Sequence, residues 1–99
     1  MLTSGFYITA ELKITNPNKI DETKQLLRNL CKQTIQESGC TLFQLHHCLE
    51  EPTRLLLWER YDSEEDYNYH FEQDYTKEYL ALQLTEVIQY FKSNVVVSP

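Results

Sequence analysis

The chain has 99 residues, 41% of them hydrophobic and 12% aromatic, with only two glycines and a formal net charge of −6. That is enough for a single domain, spanning 1–99, around one core two layers thick, with nothing left for a third layer. The acidic balance argues against a nucleic-acid or anionic-membrane partner, since either needs a basic patch, and it disfavours a phosphorylated substrate.

Taken in chain order, Phe6, Ile8, Ala10, Leu12 and Ile14 alternate with Tyr7, Thr9, Glu11 and Lys13, which predicts a strand. Asn16-Pro17-Asn18 predicts a turn and a helix start, because proline is tolerated in the first helical turn. Ile20, Thr23, Leu27, Leu30, Cys31 and Thr34 then recur at helical spacing, and Gly39 supplies a stop; the first helix is expected over 19–37. Thr41 to Leu49 reads as a second strand, Glu50 to Thr53 as a four-residue hairpin loop, and Thr53 to Tyr61 as the returning strand. Ser63 can cap a following helix whose first turn carries Glu64, Glu65 and Asp66, charges that the helix dipole favours. Tyr67, His70 and Phe71 share one side of it. A break near Gln73-Asp74, a longer helix over 76–91 and a closing strand at Val95-Val96-Val97 complete the order βαββαβ. This is the ferredoxin-like α+β arrangement, with both helices on one face of an antiparallel sheet.

The returning strand, TRLLLWERY, is apolar on both faces. Leu55, Leu57 and Tyr61 oppose Leu56 and Trp58, as Phe43, Leu45 and Leu49 oppose Leu42 and Cys48 on its neighbour. Helices can cover only one of those faces. An exposed apolar patch of this kind marks an interaction surface, and a second copy of the chain, packed sheet to sheet, is the expected cover. The beginning of the chain lacks a basic leader and reaches Glu11 before any long apolar run, while the longest such run, Leu55 to Trp58, is far too short to span a bilayer. Cys31, Cys40 and Cys48 are odd in number and fit no CxxC spacing, which suits a reduced cytoplasm.

Three side chains are candidates for chemistry. His70, between Tyr67 and Phe71, could take a proton from a phenol or an enol if its imidazole is neutral and lies in an apolar pocket; the alternative is a half-buried histidine bonded to a carbonyl. Glu59 is a carboxylate within an apolar strand and must find a partner or be neutral. A 49–54 pairing in the hairpin would put it on the same sheet face as His46, as a base with its orienter; a salt bridge to Arg or Lys is the alternative. His46 and His47 point to opposite faces and cannot share an ion, so no metal site is expected. Trp58, Tyr61, Tyr67, Phe71, Tyr75 and Tyr79 could wall a pocket for a flat ligand, or simply be core. With two glycines no GxGxxG motif can be written, and no flavin, nicotinamide or other cofactor is expected.

The run ESGCTLFQLHHCLEEPTRLLLWERYDSEEDYNYHF, Glu37 to Phe71, resembles the antibiotic biosynthesis monooxygenase domain, especially its small quinol monooxygenase-like members. Gly39-Cys40, Phe43, Leu45-His46, Pro52, Glu59 with Tyr61, and His70 carry the likeness, and the first strand and helix extend it over nearly the whole chain. The resemblance implies a dimeric α+β barrel-like assembly with a pocket between sheet and helices. Its implied activities are cofactor-free oxygenation of quinols and polycyclic phenols, haem degradation, or isomerisation of autoinducer-derived sugars. Two departures narrow these. Tyr75 stands where members often carry a second histidine. Haem-degrading members have Trp at the place of His70 and an iron-ligating His where this chain has Leu80, so haem chemistry is not expected. The resulting expectation is a cofactor-independent monooxygenase of a quinol-like or polyphenolic aromatic molecule, using His70, Glu59 and His46. A hydroxyketone isomerase would be favoured by Arg54 and Arg60 lining the pocket, and a non-catalytic dimeric module by a pocket filled with its own side chains.

Overall fold

In the computed structural model, which describes residues 2–96, the alternation of the first strand, β1 (Phe6–Ile14), turns Ile8, Ala10, Leu12 and Ile14 into the core. A 3-10 turn at Pro17–Lys19, with the Asn16 side chain accepting from the Asn18 amide at 2.9 Å, leads into α1 (Ile20–Thr34), which buries Thr23, Leu27, Leu30 and Thr34. β2 (Cys40–His47) and β3 (Arg54–Tyr61) form the hairpin. Ser63 caps α2 (Glu64–Phe71) by accepting from the Asp66 amide at 3.2 Å, as the acidic first turn predicts. α3 (Asp74–Ala81) and β4 (Thr85–Ser93) complete the order. The sheet is antiparallel, in the order β2-β3-β1-β4. Helix residues Leu27, Leu30 and Tyr79 join the inward residues of the sheet in one core, so the fold is the ferredoxin-like α+β arrangement. Among the described residues no helix is long and apolar enough to cross a membrane.

The C-terminal third differs from expectation. The helix over 76–91 stops at Ala81, and the residues after it turn through Gln83, at φ 53°, into a nine-residue strand. Strand formation agrees with the β-branched and aromatic content of Thr85, Val87, Ile88, Tyr90 and Phe91. A β-bulge gives part of this strand a helix-like step. Leu12 pairs with Val87 and Ala10 with Tyr90, so Ile88 is an extra residue and two side chains on the same face stand three apart instead of two. Val95 and Val96 follow the strand without belonging to one, and Val97 lies outside the described residues.

The hairpin register also differs by one residue. The Cys48 amide bonds to the Arg54 carbonyl at 3.0 Å, leaving Leu49 to Thr53 in the loop. His46 therefore faces Leu56, and Glu59 faces Phe43. A shift of one residue inverts every side chain, so His46 and Glu59 lie on opposite faces of the sheet.

Candidate active site between sheet and helices

A cavity of about 280 Å³ lies between the helix-facing side of the sheet and α2–α3. Its wall is mostly apolar: Ile8, Ala10 and Leu12 from β1, Leu57 from β3, and Val87 and Tyr90 from β4. Besides tyrosine and threonine hydroxyls, an imidazole and a carboxyl interrupt it. They are His70 from α2 and Glu59 from β3.

His70 falls on the inner side of α2 because it follows Tyr67 by three residues and precedes Phe71 by one. Its ring is 3% exposed and lies among aromatic neighbours, with centroids 5.3 Å from Phe43 and 5.2 Å from Phe71. Nδ1 is 2.9 Å from Glu37 Oε2, and Thr76 Oγ1 is 3.4 Å away, too long to compete. The Tyr75 hydroxyl donates to the same Glu37 oxygen.

Glu37 stands in the tight connection between α1 and β2, where its amide bonds to the Thr34 carbonyl at 2.9 Å and its carbonyl accepts from the Cys40 amide at 3.1 Å. Gly39 lets this connection meet the start of α2. A Cβ there would sit 2.6 Å from the Asp66 Cβ, and the Gly39 carbonyl accepts from the Asp62 amide at 2.8 Å.

Glu59 is 6% exposed, and its Oε1 accepts a 2.6 Å hydrogen bond from the Tyr61 hydroxyl. Loss of solvent pushes its carboxyl up to about 7, the Tyr61 bond pulls it back in part, and the nearby Glu37 charge adds to the rise. Among the described residues Glu59 forms no salt bridge to Arg or Lys. Arg54 pairs with Glu11 and Glu51, and Arg60 with Asp62. The same burial, reinforced by Glu59, drives the Tyr61 phenol far above its ordinary range. Burial also pushes the Cys31 thiol to about 11 and Cys40 to about 12, so neither is a thiolate near neutral pH.

The nine side chains singled out in the sequence thus divide three ways. Glu59, His70, Tyr67, Phe71 and Tyr79 line the cavity. Tyr61 and Tyr75 stand behind it, bonded to Glu59 and Glu37 respectively. His46 and Trp58 lie on the far face of the sheet, stacked on each other with centroids 5.1 Å apart. The residue that sequence reasoning missed is Glu37. Its one signal was position: a carboxylate just past a helix C-terminus, where the dipole disfavours negative charge.

This geometry can be set beside known proteins. The family model for antibiotic biosynthesis monooxygenase matches residues 5–82, taking in β1 through α3 and every residue of the cavity wall up to Leu80. The chain belongs to the antibiotic biosynthesis monooxygenase family. It is 34% identical to YjcS of Bacillus subtilis over 92 residues, 93% of this chain and 88% of that uncharacterised protein. A solved structure of YjcS superposes with a TM-score of 0.84 at 33% identity, covering 91% of this chain and 97% of that one. A conserved protein from Methanosarcina mazei shares the fold at a TM-score of 0.76 and 24% identity, with 89% and 91% of the two chains covered.

Proposed function

We propose that this monooxygenase-family protein acts on an aromatic small molecule carrying an ionisable hydroxyl, of the quinol or polyphenol class, without a cofactor. The observation that carries this reading is His70, held in the wall of a mostly apolar cavity that Glu59 also lines. The cavity, at about 280 Å³, is just below the usual range of small-molecule sites, roughly 300–1,000 Å³. Its size favours a ligand over a module filled by its own side chains. His70 accepts the hydroxyl proton, and the electron-rich anion left behind is the reductant for oxygen. One oxygen atom enters a ring C–H bond of the quinol as a hydroxyl, and the other leaves as water with the two hydrogens of the quinol hydroxyls as the ring becomes a hydroxyquinone, so the substrate supplies all the electrons. Arg54 and Arg60 are held at the far face by their carboxylate partners, which weighs against the hydroxyketone isomerase.

Oxygen uptake with a naphthohydroquinone as probe tests the assignment. His70→Ala should lower turnover by about 10²–10⁴ and leave the protein folded. His70→Asn, which keeps a hydrogen bond and the approximate shape, should preserve stability without restoring the rate. Unchanged turnover per folded molecule in His70→Ala would remove His70 as the base.

The second part of the proposal is a homodimer closed across the far face of the sheet. Leu42, Leu56 and the 44%-exposed Trp58 lie there, with Phe91 of β4 at 59% exposed. A second copy covering them would bury on the order of 1,200–2,000 Å². A monomer in sedimentation at micromolar concentration would contradict it.

A further inference from the structure

Glu37 is not part of the cavity wall, yet it is one of the most enclosed charged groups in the fold, with 6% of its side chain exposed. Its two oxygens are treated unequally. Oε2 receives both the Nδ1 edge of His70 and the Tyr75 hydroxyl, while Oε1 is buried with no hydrogen-bond partner among the described residues. An unpaired buried carboxylate oxygen costs stability, and a latch that merely tied α1–β2 to α2–α3 would be better made from groups that satisfy one another. Arrangements that sacrifice polar satisfaction are concentrated at functional sites.

We propose that Glu37 is the positioning residue for His70, fixing the imidazole as the tautomer with its proton on Nδ1 and leaving Nε2 as the proton acceptor on the cavity side. The chemistry follows from donor and acceptor roles. A carboxylate oxygen accepts, so the ring nitrogen 2.9 Å from it must carry the hydrogen. A neutral imidazole has one N–H, and once it is spent on Glu37 the other nitrogen presents a lone pair. No protein partner takes Nε2 among the described residues, and Glu37 sits behind the ring, so the opposite edge is the one a bound hydroxyl meets. When Nε2 takes a proton the ring becomes cationic, and the adjacent Glu37 charge compensates it inside an apolar shell. Tyr75 has a supporting role: by donating to the same oxygen it holds the carboxylate at the angle that meets Nδ1. Loss of solvent and the Glu37 charge both raise the Tyr75 phenol, so it stays a donor.

This proposal deepens the assignment of His70 as the base and rests on it, but its first test needs no substrate. Nitrogen NMR of protein carrying isotope-labelled histidine reads the tautomer directly, and the chain's three histidines can be assigned by removing each in turn. Wild-type His70 should show Nδ1–H. Glu37→Leu, which has no acceptor, should lose that preference. It should also lower kcat for the naphthohydroquinone by about 10- to 100-fold with KM little changed. Glu37→Gln, whose side-chain carbonyl can still accept, should keep the tautomer and much of the rate, and it stands in if the leucine variant fails to fold. A wild-type ring protonated on Nε2, or a Glu37→Leu protein that keeps Nδ1–H and full kcat, overturns the proposal. If instead His70→Ala leaves turnover intact while the tautomer follows Glu37, it is the base assignment that falls.

Discussion

Glu37 and Glu59 are two largely enclosed carboxyl groups, and the fold treats them differently. Glu37 meets an imidazole that can carry the opposite charge and a phenol that donates to the same oxygen. Among the described residues Glu59 meets only the Tyr61 hydroxyl, and solvent loss pushes it up to about 7. Burial alone therefore does not decide what a carboxyl does in this core; the partner does. Beside His70 a carboxyl group meets the ring edge and can orient a base. Against an apolar cavity, Glu59 is poised between its charged and neutral forms near neutral pH, able to donate a proton or a hydrogen bond to whatever occupies the cavity.

The largest effect that would break this contrast is on stability against pH. Glu59 is raised in the fold from 4.5 to about 7, so the folded state holds a proton there that the unfolded chain releases. Its contribution should weaken as pH rises from about 4.5 through 7 and remain at its least favourable above that. The total is on the order of 3 kcal/mol. Denaturant midpoints across pH 5–8 should fall for the wild type, and Glu59→Gln should flatten the slope. A wild-type slope of the same size in Glu59→Gln would mean that another group is responsible.

A smaller effect sharpens the Glu37 side of the comparison. Gly39→Ala places a methyl group 2.6 Å from the Asp66 Cβ, so the α1–β2 connection and α2 must move apart. Overpacking of this kind costs about 1–3 kcal/mol. Because that contact seats Glu37 against His70, the variant should also slow naphthohydroquinone turnover, whereas Glu59→Gln measured at low pH should keep its stability. Gly39→Ala with wild-type stability and rate would show that the close approach is not what seats Glu37.

Much of this arrangement was legible in the residues. The alternation of β1, the Ser63 cap and the βαββαβ order follow from local pattern, and a cap or an alternating face needs no distant partner. The spacing of Tyr67, His70 and Phe71 put the histidine on the inner side of α2, and a carboxylate within LLLWERY had to be exceptional. What was not legible depended on long-range pairing. A bulge opposite Glu11–Leu12 gave Val87 and Tyr90 a helix-like step, and with Gln83 rather than glycine at the left-handed turn nothing in the local sequence ended α3. One more residue in the hairpin loop moved His46 to the far face. Glu37 reaches His70 across 33 positions of sequence, a distance over which no local pattern carries information.

The central claim, that His70 takes a proton from a bound aromatic hydroxyl, is most directly tested with para-nitrophenol, whose phenolate is yellow and whose phenol is colourless. Slightly below neutral pH, wild-type protein should bind it as the yellow phenolate, and His70→Ala should bind it as the colourless phenol. Binding in the phenol form by the wild type, or an equal yellow band in both proteins, would contradict the account.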